Sequence, residues 1–382
     1  QEVKIDVNPF FIVQFGGFCY DSSELKNIFH CWTKVTTERG AIMSQHYRAV
    51  LIGCGRMGAT IDDESSSDLP SSHAAGYMAV DNVDLVAVSD VIAEKVETIR
   101  QRYNVPAGYT DYREMIEKEK PDIVSIATRP VTHAEMTIFV AESGVKGIYC
   151  EKPLCCSMEE ADAMVSAVEA NGVKFNYGVN RRYTPLFWKM RELIESGEIG
   201  ELQCVICHCG PGGAQWTHTH TSDRMMELAG DAEVEFVQGT VIANDSDWEG
   251  ARLNVDPGIP MGYVKFKNGV HGYQLAASGY EFEASGSKGK LRTMNNGAML
   301  QCRMAGKQPY PVEGIPRESG TVNCIKDLTQ AIATDGETRG NIQLARRSQE
   351  IIIGFIESHR QGGKRVTLPL ENRNLYVGRK DW

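Results

Sequence analysis

The stretch that decides the fold is Tyr47–Gly58, YRAVLIGCGRMG. Six residues suited to a buried strand run directly into G-x-G-x-x-G, formed by Gly53, Gly55 and Gly58. A strand followed by this spacing is the context in which the pattern signals a dinucleotide. The first glycine makes a tight turn and the second lets backbone approach a pyrophosphate. The third lets helix and strand pack closely, and the helix start offers N–H groups to phosphate. The turn residues Gly53, Cys54, Gly55, Arg56, Met57 and Gly58 are therefore candidate cofactor contacts.

Working outward, VDLVAVSD ends at Asp90, where an acid would accept the adenine ribose hydroxyls. The distance from Gly53 is longer than the usual spacing of about 20 residues. The polar run Ile61–Ser72, IDDESSSDLPSS, accounts for the excess as an insertion. A carboxylate there repels a 2′-phosphate, which favours NAD over NADP. Further strands follow in PDIVSIAT, VKGIYCEKP and VKFNYGVN. Helical spacing separates them in IAEKVETIRQRY, HAEMTIFVAESG and SMEEADAMVSAVEANG. In the last of these, Ser157 and Glu160 make a capping-box pattern and Gly172 a stop. This alternation predicts βαβ units and a parallel sheet. After Val179 the rhythm changes to a helix, PLFWKMRELIESG, and longer alternating strands. A second domain with a mainly antiparallel sheet is expected there, closed by helices around Val322–Ala333 and Asn341–His359. The expected division is an N-terminal extension of unknown role over 1–46, a Rossmann domain over 47–179 and a substrate-binding and oligomerisation domain over 180–382. Met43 marks an alternative start for the regular fold.

Composition narrows the function. The chain has 382 residues and a formal net charge of −10, which argues against a nucleic acid or an anionic membrane as partner. No apolar run approaches the roughly 18 residues of a membrane span. The first residues have an apolar patch but no basic region, a poor match to a signal peptide. The 11 cysteines are scattered through core-like segments and read as buried thiols of a reducing, cytoplasmic setting. CVICH, Cys204–His208, has the spacing of a haem attachment, but it lies in a strand pattern that turns the two cysteines to opposite faces.

Taken in order, GCGRMG, Asp90, ATRPVTHAE, CEKP, GVNRRYTP, HTSDRMMELAG and ASGSKGKL resemble the glucose–fructose oxidoreductase / inositol dehydrogenase (Gfo/Idh/MocA) family, over about Tyr47 to Leu370. The resemblance implies a Rossmann domain, then an α/β domain with a large open sheet, often used for dimers or tetramers. It also implies hydride transfer between nicotinamide and a hydroxyl-bearing carbon of a sugar, cyclitol or related polyol. Lys152 of CEKP matches the family lysine that sits near the substrate hydroxyl. His220 matches its catalytic histidine. Thr128, His133, Glu151 and Lys152 fall near the cofactor, and Asn180 and Tyr183 are expected to face the cleft.

The physics of Lys152 agrees with that role. It follows a strand at the carboxyl edge of the sheet, and partial desolvation beside a positive ring lowers its pKa. Pro153 restricts it to extended backbone. WTHTHTSD, Trp216–Asp223, departs from the family pattern. Trp216 stands where an acid is usual and His218 where glycine is usual. Trp216 could stack on a sugar ring and His218 could reach substrate. Asp223 reads as a helix-start residue. The two histidines alone are too few for zinc, so no metal is expected. Two further readings stay open: a hydrolase or lyase that uses NAD transiently by oxidation–elimination, and a non-catalytic dinucleotide sensor.

Overall fold

The computed structural model describes residues 45–382, together with a short antiparallel pairing of Gln14–Phe15 with Phe18–Cys19. The expectations for the rest of 1–44 lie outside the described residues. The segment to His46 and the segment from Tyr47 form separate compact units. All that follows concerns the second.

Its first layer is a six-stranded parallel sheet. The strands are β1 (Tyr47–Ile52), β2 (Val83–Ser89), β3 (Ala107–Tyr109), β4 (Ile123–Ile126), β5 (Gly147–Cys150) and β6 (Lys174–Tyr177). Their spatial order is 3-2-1-4-5-6, the doubly wound arrangement whose reversal point beside β1 receives a dinucleotide. β1, β4 and β5 are almost wholly buried, which explains their predominantly apolar sequences. The crossover helices are α1 (His73–Met78), α2 (Ala93–Arg102), α3 (Tyr112–Glu119), α4 (Pro130–Glu142) and α5 (Met158–Ala170). α5 opens on the Ser157–Glu160 capping box that its sequence predicts. α4 begins earlier than the periodicity indicates, because Pro130 occupies its first turn, where a missing N–H costs nothing.

The second layer is a nine-stranded sheet. In chain order its strands are β7 (Leu202–Cys209), β8 (Val234–Ile242), β9 (Gly258–Phe266), β10 (His271–Ala276), β11 (Tyr280–Gly286), β12 (Gly289–Met294), β13 (Met299–Met304), β14 (Tyr310–Pro311) and β15 (Val366–Thr367). They lie side by side as 14-13-12-11-7-10-9-8-15, antiparallel except where β7 runs parallel to β10. Two long alternating runs of sequence thus prove to be hairpins. MGYVKFKNGVHGYQLAAS turns at Asn268–Gly269, and KLRTMNNGAMLQCRM at Asn295–Gly297. CVICH lies on β7 with Cys207 buried and Cys204 half-buried, so strand alternation does separate the two thiols.

Helices α6 (Pro185–Glu195), α7 (Thr219–Leu228), α8 (Gly320–Thr334) and α9 (Ile342–Arg360) complete the unit. α9 packs on β8 and β9 through Phe355, whose ring lies over Gly239 and Gly262. A Cβ at either glycine would come within 2.8 or 2.5 Å of it. The bare backbone lets this helix approach closely, and burying such an aromatic contributes about 1.5–3 kcal/mol.

Candidate active site

The glycine turn ends β1. Gly53 has φ of +99°, and a Cβ there would lie 2.5 Å from the Ala127 carbonyl oxygen. A Cβ on Gly58 would lie 1.9 Å from the Gly53 carbonyl oxygen. Gly55 faces open space, which is the room a pyrophosphate needs. Arg56–Thr60 continues as one wide helical turn, not the full helix expected from the motif. The insertion Ile61–Ser72 then intervenes, tied off by the Asp62 carboxylate, which accepts from Ser71 N and Ser72 N at 2.7 and 3.1 Å. Ser72 caps α1.

Asp90 ends β2 beside this turn. Its carboxylate accepts from Cys54 N at 2.9 Å and from Ile92 N at 3.0 Å. The two bonds fix its direction and leave lone pairs for ribose hydroxyls. Cys54 differs from its assignment. Its N–H is committed to Asp90 and its thiol is buried and pushed up to about 12, chiefly by desolvation, so it shapes the turn. Gly53, Gly55, Arg56, Met57, Asp90, Thr128 and Trp216 are among the residues lining a cleft of about 490 Å³.

A second cleft of about 620 Å³ adjoins it, sharing Arg56, Met57 and Trp216. Its walls include Glu151, Lys152, Asn180, Arg181, Thr217, His220, Tyr280 and Asn296. Lys152 stands just beyond β5, and the Lys152–Pro153 peptide is cis. Its Nζ donates to the Trp216 carbonyl at 3.0 Å and lies 4.5 Å from the Trp216 ring centroid. Desolvation lowers its pKa, partly opposed by the negative charges of Glu151 and Asp256. His220, on the first turn of α7, has its Nδ1 buried without a partner among the described residues. Burial and then the charges of Lys152, Arg181 and Arg224 push it well below the ordinary histidine value, so the imidazole is neutral. A neutral imidazole can accept a hydrogen bond at physiological pH.

Glu151 is buried behind Lys152. Its carboxylate meets His73 Nε2 at 3.1 Å and accepts from Lys152 N at 3.2 Å. His73 Nδ1 meets Ser125 Oγ at 2.9 Å, and its ring stacks on Tyr149 at 3.9 Å. This buried network braces the backbone that carries Lys152.

Three assigned residues face elsewhere. Tyr183 is fully buried and donates to Asn176 Oδ1 at 2.6 Å, drawn inward by that acceptor. His218 is also buried, with Nδ1 3.1 Å from Thr221 Oγ1. Burial brings it to about 4, and it is absent from the cleft wall. His133, expected near the cofactor, is fully buried, its Nδ1 2.8 Å from the Pro153 carbonyl. Asp223 is more than a helix-start residue. It is 1% exposed and binds Arg182 and Arg224 in a buried ion cluster with Glu227 and Asp231. Asn180 does border the cleft, between Tyr149 and Thr321.

Asp256 is the residue that sequence reasoning missed. It lies in NVDPG, a turn signal far from WTHTHTSD in the chain. Its carboxylate accepts from Gln215 N at 2.7 Å and Trp216 N at 3.0 Å. A Cβ on Gly213 would meet this carboxylate at 2.1 Å. Asp256 thus holds the turn whose Trp216 carbonyl receives Lys152. An acid therefore serves this corner of the site, delivered from the segment before β9. Asp256→Ala is expected to lower kcat/KM by about ten- to a hundredfold through misplacement of Lys152. The rising limb of the pH–rate profile should move to lower pH, because the lost negative charge supports protonated Lys152. An unmoved profile would limit Asp256 to a structural role.

Among the described residues no three His, Cys, Asp or Glu side chains converge on a metal site. Nor is any helix among them long and apolar enough to cross a membrane.

Comparison with known proteins agrees with this geometry. Residues 47–179 match the model of an oxidoreductase family with an NAD-binding Rossmann fold. A myo-inositol 2-dehydrogenase of Thermotoga maritima is 29% identical over 265 residues, covering 64% of this chain and 74% of that protein. The scyllo-inositol 2-dehydrogenase (NAD(+)) of Bacillus subtilis is 31% identical over 160 residues, or 42% of this chain and 43% of its own length. The structure of a levoglucosan dehydrogenase complexed with NADH superposes with a TM-score of 0.70 at 21% identity, covering 85% of this chain and 100% of that one.

Proposed function

We infer that this chain, which belongs to the Gfo/Idh/MocA oxidoreductase family through residues 47–179, is an NAD-dependent dehydrogenase acting on a CH–OH carbon of a sugar, cyclitol or related polyol. The observation that carries the reading is the junction of the two clefts, where Lys152 and His220 line one wall and Trp216, with Arg56 and Met57, is common to both. The open face of Gly55, the fixed Asp90 carboxylate and the close-packed Gly53 and Gly58 suit a dinucleotide. When bound, NAD supplies the hydride acceptor. The chain's own residues do the rest. Lys152, its charged form disfavoured, takes the hydroxyl proton as the carbon is oxidised and returns it in the reverse direction. His220 accepts a hydrogen bond from the same hydroxyl or its neighbour. The half-exposed face of Trp216 gives the ring a surface to lie on.

Asp90 selects NAD in this account. Asp90→Ser should weaken NAD and strengthen NADP, each by about ten- to a hundredfold, as titration of both dinucleotides would measure. Equal preference in the parent protein would remove that role. The activity itself is tested by screening inositols, aldoses and glycosides while following reduced-nicotinamide absorbance and product together. Net reduction supports the reading. Product without net reduction would favour oxidation–elimination, and NAD binding with neither would favour a sensor.

We further propose a Rossmann domain over 47–179 and a substrate domain over 180–382, with 1–46 as an extension. The outer sheet face, with partly exposed Met261 and Leu275, suits self-association into a dimer or tetramer. The free cysteines described suit a reducing, cytoplasmic setting.

A further inference from the structure

The substrate cleft contains a cation for which no described residue supplies a paired counter-charge. Four charged side chains line it: Arg56, Lys152, Arg181 and Glu151. Arg56 is paired with Glu64 at 2.8 Å. Lys152 faces the charges of Glu151 and Asp256. Arg181 makes no ion pair with any described carboxylate. Its Nη1 and Nη2 donate to the Asn296 carbonyl at 3.2 Å and to Asn296 Oδ1 at 2.6 Å. Asn296 presents both acceptors because the β12–β13 turn holds Asn295, Asn296 and Gly297 at positive φ. The guanidinium lies 4.5 Å from the Tyr280 ring centroid, and burial disfavours its charge.

This arrangement orients Arg181 without neutralising it. Two of the five guanidinium N–H groups are used, and the others have no acceptor among the described residues. A partly buried cation held by neutral acceptors is costly unless something else brings the negative charge. The dinucleotide phosphates are not that partner, since Arg181 lines the substrate cleft and is absent from the wall of the cofactor cleft. The planar fork matches a carboxylate or a phosphate oxygen pair.

We propose that the substrate is anionic, a sugar or polyol bearing a carboxylate or phosphate that Arg181 binds while Lys152 serves the carbinol being oxidised. This rests on the dehydrogenase reading and specifies its substrate class.

The test uses the full chain with NAD and matched sets: D-glucose, D-glucuronate and glucose 6-phosphate; D-galactose and D-galacturonate; myo-inositol and inositol 1-phosphate. An anionic member is expected to exceed its neutral partner in kcat/KM by about tenfold or more. Whether the uronates or the phosphates respond identifies the group. Arg181→Gln should raise KM for the anion by about tenfold more than for its neutral partner, the neutral member's change measuring the general effect of the substitution on the cleft. Arg181→Lys should restore part of the effect. If no set turns over, binding of the same anions to the NAD-loaded protein is titrated. Affinity that Arg181→Gln abolishes supports the assignment, and no anion binding overturns it. Equal turnover of neutral and anionic members, or equal loss for both in Arg181→Gln, also overturns it while leaving the dehydrogenase reading intact. Failure of the parent protein to bind NAD would instead strike that reading.

Discussion

Lys152→Ala is expected to lower kcat by about a hundred- to ten-thousandfold, the usual worth of a positioned acid–base group, with NAD affinity essentially unchanged. The expectation follows from place and partners. Lys152 lies at the carboxyl edge of the parallel sheet, in the substrate cleft, and its Nζ is held by one neutral carbonyl and the face of Trp216. No described carboxylate touches Nζ, so desolvation dominates and the amine gives up its proton more readily than an exposed lysine. In the oxidation direction the neutral amine is the active form. The rate should therefore rise with pH through a value below that of an ordinary lysine, and this limb should vanish in Lys152→Ala. Stopped-flow turnover and an NAD titration on the same preparation check both halves. Near-normal turnover would remove Lys152 from the chemistry. His220 cannot simply replace it, because burial and three neighbouring cations hold the imidazole neutral well below the usual range.

Asp223→Ala should cost about 3–5 kcal/mol of stability, as expected when one partner of a buried ion pair is removed. Asp223 Oδ1 accepts from Arg182 Nε at 2.9 Å and Oδ2 from Arg224 at 2.5 Å. The side chains of Arg182 and Arg224 are 2% and 0% exposed, so water cannot replace the lost carboxylate. Arg224 also pairs with Glu227, and Arg182 with Asp231. Urea unfolding would show the loss as a lower midpoint with an unchanged slope; a midpoint within error of the parent would refute the claim. The same cluster carries a pH signature. Burial alone would raise Asp231, but Arg182 and Arg191 outweigh it and lower its pKa from 3.8 to about 2. A depressed carboxylate stabilises the fold fully above its unfolded value, and that stability is lost as pH falls through the folded one. The contribution should therefore disappear between about pH 4 and pH 2.

The parallel half of the molecule was legible because its signals are local. Buried strands read as continuous apolar runs, and the glycine turn, Asp90 and the Ser157 cap each act within a few residues. Short elements were lost: β3 and α3 are too brief for their periodicity to stand out, and α1 hides behind the polar insertion. In the second half the alternation was visible but the hairpin turns inside two long runs were not separated, although Asn-Gly marks both. At the site, Lys152 and His220 reach the cleft as expected. Tyr183, His218 and His133 do not, because each finds an internal partner that linear spacing cannot reveal: Asn176, Thr221 and the Pro153 carbonyl. Asp256 was invisible for the opposite reason. It meets the Trp216 turn across 40 residues of chain, and only the register of the sheet brings them together. Nothing local in NRRYTP separates Arg181 from Arg182: the fold pairs Arg182 with Asp223 and gives Arg181 the neutral acceptors of Asn296.

The most direct test of the central claim is isotope transfer. The protein would be incubated with NAD and the best substrate of the screen, deuterated at the carbinol carbon, and the dinucleotide recovered for mass analysis. The account predicts one deuterium in the reduced nicotinamide for each molecule of carbonyl product formed, with none in the Lys152→Ala variant beyond its residual turnover. Deuterium released to water, or returned to a product while NAD remains oxidised, would contradict it.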